Sequence, residues 1–161
     1  MMEQTNNCVS ENMVMVNEEE EKAKKKEILK LFNSQLIEFI EDVKILFPNK
    51  NKISALILGF KTFMKIRKED FIESWRDWVI CKFNDKIMKK DYSFFEPHVV
   101  TEEEKKLFKW DISLKFIEAI ELLKSIIIKS DEKNKEHTMG YIYNLNMLCI
   151  HFYGLTQYLL K

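Results

Sequence analysis

Apolar residues recur at spacings of three and four along most of this chain, and this spacing constrains the fold more than any other feature. An α-helix turns once every 3.6 residues, so such a repeat places its members on one helical face. The repeat is clearest at Ile28, Phe32, Leu36, Phe39, Ile40, Val43, Leu46 and Phe47. It predicts a long first helix that ends at Pro48, because proline cannot continue the backbone hydrogen bonds.

The repeat returns in four later segments. It predicts a second helix over residues 53–66 and a third over residues 68–91. A fourth helix begins at the capping-box pattern of residues 101–104, and residues 111–113 can kink or divide it. A fifth helix follows Ser130. No segment is typical of a strand that has a partner to pair with.

Together these segments predict the fold class: an all-α protein, formed as a single compact bundle of about five helices. A chain of 161 residues is the usual size of one domain. Residues 1–16 are polar and aperiodic, and we predict a disordered tail there. The helical bundle domain is therefore expected to cover residues 17–161.

The charges of the chain balance, with 26 basic and 26 acidic side chains. No net field therefore draws the protein to nucleic acid or to an anionic bilayer. The cysteines, Cys8, Cys81 and Cys149, are widely spaced and lack a Cys-x-x-Cys pair, so neither a disulfide framework nor a zinc site is predicted. The N-terminal segment lacks a signal-peptide pattern, and we expect an intracellular protein.

One segment has the length of a membrane span. Residues 138–160 contain no Asp, Glu, Lys or Arg, but they include Asn144, Asn146, His151 and Gln157. Hydrocarbon tolerates such polar side chains poorly. The pattern favours a buried core helix over a membrane helix.

Residue patterns that support catalysis are missing from the sequence. The chain has three glycines and no glycine-rich loop to cradle a phosphate. His98, His137 and His151 do not form a metal-ligand pair on one helical face, and no serine or cysteine lies in a nucleophile motif. We expect no enzymatic activity, no cofactor and no metal.

Clustered aromatic side chains are the candidate partner-binding residues. Trp75 and Trp78 lie three apart on the third helix, and the segment that follows holds Tyr92, Phe94 and Phe95. An exposed aromatic residue is typical of a binding hot spot. The spacing of the tryptophans nevertheless favours core packing, and a double Phe between two helices most simply anchors in the core.

Lysine-rich helical faces support an alternative, which is nucleic-acid binding. Lys61 and Lys65 share one face, Lys82 and Lys86 share another, and the two tryptophans lie between them in the sequence. Acidic residues alternate with these lysines, as on an ordinary solvated face. The interaction hypothesis is therefore preferred.

Several short motifs resemble a family of small all-helical proteins encoded by large nucleocytoplasmic DNA viruses. The matching positions are Phe32, Asn33, Gln35, Glu38 and Phe39; Phe47 and Pro48; Asp91, Phe94 and Phe95; and Ser130, Asn134, Lys135 and Tyr141. The resemblance implies a viral origin and a setting in the host cytoplasm, the viral factory or the virion. That family has no established activity, so the resemblance implies no mechanism.

The leading functional hypothesis is a non-enzymatic helical interaction module of a large DNA virus. It would bind a viral or host protein through an apolar groove or the aromatic segment, in virion assembly or in a replication or transcription complex. A viral apoptosis inhibitor is a weaker hypothesis, because the Asn-Trp-Gly-Arg signature of that class is missing and "SWRDW" replaces it. The sequence leaves the oligomeric state open.

Overall fold

A computed structural model describes residues 3–47, 49–108 and 111–159, and within them the side chains from Asn17 onward except that of Asp111. The predicted stop at Pro48 lies outside the described residues. The predicted tail, residues 1–16, lies outside the described side chains, and the domain boundary after it stays a prediction.

The described residues form helices and no strand, which confirms the predicted all-α bundle. The elements, in chain order, are α1 (Glu3–Val43), a 3₁₀ turn (Lys44–Leu46), α2 (Lys50–Ile66), α3 (Asp70–Ser74), a π-helical segment (Trp75–Ile80), α4 (Cys81–Met88), a 3₁₀ helix (Tyr92–Phe95), α5 (Glu102–Lys105), α6 (Asp111–Ile127), α7 (Glu132–Tyr153) and a 3₁₀ helix (Thr156–Tyr158). The third predicted helix thus contains a π-helical interruption, and the fourth is divided into α5 and α6 near residue 111.

The apolar stripe of α1 packs against α7 along the centre of the bundle. Phe32 and Leu36 are buried, and the Phe39 ring lies 5.6 Å from the Tyr141 ring of α7. At the next turn, His137 of α7 hydrogen-bonds Asp42 of α1, with 2.5 Å between Nε2 and Oδ2. The spacing of three and four therefore marks the buried face of α1, as predicted.

A cluster of three phenylalanine rings joins α2, α3 and α6. The Phe71 ring lies 5.1 Å from Phe60 and 4.9 Å from Phe116, and both pairs are edge-to-face. Edge-to-face packing is the favourable geometry for aromatic quadrupoles. The cluster fixes α2 and α6 on the same side of α3.

Side-chain and backbone caps set the helix ends. Thr101 and Glu104 form the predicted capping box of α5. The N-cap of α7 is Asp131 rather than Ser130, because its carboxylate accepts from the Asn134 amide at 2.8 Å. Gly154 ends α7 with a φ of 65°, a left-handed conformation that glycine adopts without steric cost.

The charge-free segment in α7 belongs to the core. Met139, Ile142 and Leu145 are buried, which confirms the predicted core helix. Among the described residues, no helix combines the length and the apolar character that crossing a bilayer requires.

Candidate functional site: an apolar groove between two helices

Trp75 lies in the π-helical segment and is fully buried. Its Nε1 donates to Asn146 Oδ1 at 3.2 Å, and Asn146 Nδ2 donates to Asn84 Oδ1 at 2.9 Å. The Phe32 ring of α1 packs edge-on, 5.8 Å away. Trp75 therefore joins α1, α4 and α7 in the core, and its assignment as a partner-binding residue is wrong.

Trp78 is also fully buried, and its partner is a carboxylate. Its Nε1 donates to Glu121 Oε1 at 3.1 Å. The same oxygen accepts from Lys124 Nζ at 2.9 Å, and the second oxygen accepts from the His98 amide at 2.7 Å. Three donors from different parts of the chain thus meet one buried carboxylate, and Trp78 offers no binding surface.

The aromatic segment at residues 92–95 closes the core. Phe94 and Phe95 are each 1 % exposed, and Tyr92 is half-buried. The Lys124 ammonium lies 4.4 Å from the centre of the Phe94 ring and 3.6 Å from that of Phe83. The assignment of Phe94 and Phe95 to partner binding is therefore wrong, because both rings are anchors. The assignment of Tyr92 stays a prediction.

Sequence reasoning did not find the polar residues that hold these aromatic rings. Asn146, Glu121 and Lys124 each lie in a helix, next to apolar residues of the same helix that are buried. A polar residue inside an apolar stripe is the signal that could have found them, because a buried polar group needs a hydrogen-bond partner.

The strap, residues 96–108, crosses the outer edge of Trp78. The His98 ring lies 5.5 Å from the Trp78 ring, and its Nε2 hydrogen-bonds Glu104 Oε1 at 2.9 Å. Glu104 also pairs with Lys82 of α4, whose ammonium lies 4.8 Å above the Trp78 ring. One carboxylate thus ties the strap to α4.

Acid should weaken the interaction of the Glu104 carboxylate with Lys82 and His98. The hydrogen bond from Lys82, with those from His98 and the Thr101 amide, holds the pKa of Glu104 well below its usual value of 4.5. A carboxylate with a lowered folded-state pKa stabilises the fold above its unfolded-state pKa, and that contribution is lost as the pH falls through and below that value. We expect the difference in unfolding free energy between the native chain and Glu104→Gln to shrink as the pH falls from about 6 to about 3.

Urea unfolding monitored by circular dichroism measures this difference. Glu102→Gln is the matched control, because Glu102 lies in the same short helix and its side chain is 86 % exposed. The control should follow the native pH profile. If the unfolding free energy of Glu104→Gln depended on pH as strongly as that of the native chain, the Glu104 carboxylate would not be the source of the pH dependence.

The candidate nucleic-acid lysines lie on two helices, α2 and α4. Lys61 pairs with Glu41 of α1 at 3.1 Å, and the exposed Lys65 follows it by one turn of α2. Lys82 and Lys86 lie on α4, where Lys82 pairs with Glu104. Because both tryptophans between them are buried, neither Trp75 nor Trp78 offers these lysines an aromatic platform.

An apolar groove of about 570 Å³ lies between α2 and α6. Its apolar lining is Phe47, Ile53, Leu56, Ala119, Leu122 and Ile126, and its polar lining is Asn49, Lys52, Lys115 and Glu118. The ring pair Phe60–Phe116, 5.8 Å apart, holds the two helices together beside the groove. The apolar floor is therefore built from the same helical faces that form the core.

Leu122 is the most exposed apolar side chain of the groove, with 40 % of its surface accessible. The lining residues of α6 follow a spacing of three and four from Lys115 to Ile126, so one stripe of the helix faces the groove. A contiguous apolar surface with a polar rim is typical of a protein-interaction site. The groove is the candidate site.

The thiols and acidic groups do not form a second site in the described residues. Cys149 is buried, and burial raises the pKa of its thiol to about 12. Cys81 is exposed. Among described residues, no three or more His, Cys, Asp or Glu side chains are placed to hold a metal ion.

No protein-family model, curated protein or solved structure matches the chain. The groove is therefore interpreted from its own geometry.

Proposed function

We propose that this chain is a non-enzymatic interaction module whose α2/α6 groove accepts an amphipathic helix of a partner protein. The observation that supports it is the apolar floor of the groove, with Leu122 40 % exposed between two helical walls. Helix-in-groove binding uses such a floor, since the apolar stripe of one helix fits between two others.

The setting of this function is part of the same proposal. The motif resemblance supports a large DNA virus as the origin, with the host cytoplasm, the viral factory or the virion as the location. Virion assembly and a replication or transcription complex are the two processes in which such a module would act.

Leu122→Glu tests the groove, because it places a charge on the apolar floor. We expect the variant to bind the partner at least about 30-fold more weakly, the effect of losing one hot-spot residue. Tagged native and variant chains would be purified from cells that naturally make the protein, and each co-purifying partner would then be titrated as pure protein by calorimetry.

Leu58→Glu is the matched control. Leu58 is 67 % exposed on α2 and does not line the groove. It should leave the affinity unchanged, and both variants should keep the native melting temperature. Equal affinity of the native and Leu122→Glu chains for every partner would overturn the proposed function.

A further inference from the structure

The rim of the α2/α6 groove carries more positive than negative charge. Lys52 lies on the α2 side, Lys115 lies on the α6 side, and both side chains are exposed. Glu118 is the acidic residue among the lining side chains, and it lies on the same helix as Lys115. The groove therefore places a lysine on each wall and a carboxylate on one wall.

Neither rim lysine makes an ion pair with another described residue. Five other lysines have carboxylate partners: Lys61, Lys82, Lys105, Lys124 and Lys135. A partner's carboxylate can pair with an unpaired ammonium beside an apolar floor. The attraction between the two charges strengthens when the partner covers the floor and displaces water.

The helix dipoles do not change the positive sign of the net charge on the groove rim. Asn49, which caps the N-terminus of α2, lines the groove, and so does Ile126, which lies near the C-terminus of α6. The positive end of one helix thus lies near the negative end of the other, and their contributions oppose each other. The charged side chains of the rim, Lys52, Lys115 and Glu118, therefore decide its potential.

The length of the groove suits a helix of about three turns. The α6 stripe covers residues 115–126, a rise of about 17 Å. Both walls are helices whose backbone groups are already hydrogen-bonded, so an extended peptide would find no free edge to pair with. A helix satisfies its own backbone and needs only side-chain contacts.

We propose that the helix bound by this groove carries acidic side chains on both flanks of its apolar stripe, where they pair with Lys52 and Lys115. This inference rests on the proposed function and specifies its partner: an acidic amphipathic helix of another protein.

A displayed peptide library tests the inference with the full chain as bait. The peptides are helices of about 18 residues, or five turns. They carry leucine at i, i+4, i+7 and i+11, and Glu, Gln or Lys at random on the flanks. The three baits are the native chain, the double variant Lys52→Glu/Lys115→Glu and the blocked variant Leu122→Glu, each checked for its native melting temperature.

We expect the native bait to enrich Glu over Lys on the flanks by about tenfold, since two exposed ion pairs contribute about that much. The double variant should reverse the preference toward Lys, and the blocked variant should retain no peptides above background.

Three results would overturn the inference in different ways. If the native bait retains peptides that the blocked variant loses, but shows no Glu preference or one that the double variant does not reverse, the acidic-flank inference fails and the proposed function stands. If the native bait retains no more peptide than the blocked variant, the proposed function fails with it. Sedimentation tests whether the groove binds a second copy of this chain. If the native chain self-associates and the Leu122→Glu variant does not, a second copy is the occupant, and the acidic partner is rejected.

Discussion

Trp75→Ala is expected to lower the free energy of unfolding by about 3–5 kcal/mol, the usual cost of removing a large buried aromatic side chain. The ring is fully buried between α1, α4 and α7, so its removal leaves a cavity that several elements must close together. It also deprives Asn146 Oδ1 of its donor, which adds the cost of an unsatisfied buried acceptor. Urea unfolding monitored by far-ultraviolet circular dichroism measures the change.

Trp75→Phe separates the two contributions. It keeps much of the apolar volume but removes the Nε1 donor, so we expect a smaller loss, of about 1–3 kcal/mol. Tyr92→Phe is a control at a half-buried ring and should leave stability nearly unchanged. A Trp75→Ala variant with native stability would show that the ring is not a core element.

Breaking the Glu121–Lys124 pair is expected to have the second large effect. Both side chains are buried, with 8 % and 2 % exposed, and Nζ lies 2.9 Å from Oε1. Burial lowers the pKa of the Lys124 ammonium, and the neighbouring Glu121 carboxylate opposes that shift. Removing one partner leaves the other charge buried and uncompensated, which costs about 3–5 kcal/mol. Lys124→Met should therefore destabilise the chain by roughly that amount.

The double variant Glu121→Gln/Lys124→Met shows whether the lost charge balance causes the effect. Glutamine keeps one oxygen, which can accept from Trp78 Nε1 or from the His98 amide, and its NH2 group faces the other donor. Methionine replaces the lysine stem without a charge. Because the pair is then neutral, we expect the double variant to regain part of the lost stability. Equal destabilisation of the single and double variants would instead assign the effect to packing around Phe83 and Phe94.

The apolar repeat predicted the helices because it reflects an interaction between residues that are near in sequence. Phe32, Leu36 and Phe39 repeat with the helical period, and each lies on the buried side of α1. The capping box of α5 was equally predictable, because Thr101 and Glu104 bond each other within one turn. The π-helical segment has no comparable signal, because its hydrogen bonds to i+5 depend on packing around Trp75 and Trp78.

The roles of the aromatic residues were less predictable. The spacing favoured burial of Trp75 and Trp78, but the partners of their indole groups lie 71 and 43 residues away. No local pattern connects Trp78 with Glu121, although a carboxylate among buried isoleucines is itself a signal. The assignment of these rings to a binding surface failed because their exposure depends on which helices cover them.

The sequence alone was enough to specify an all-α chain, the faces of its helices and most of their limits, because helical period and capping act over a few residues. The three-dimensional arrangement was needed to show that Phe94 and Phe95 close the core and that Lys124 is buried between their segment and Glu121. It was also needed for the groove, which forms where α2 and α6 lie side by side and leave Leu122 uncovered. Which side chain stays exposed depends on contacts between segments far apart in the chain, and such contacts leave no period in the sequence.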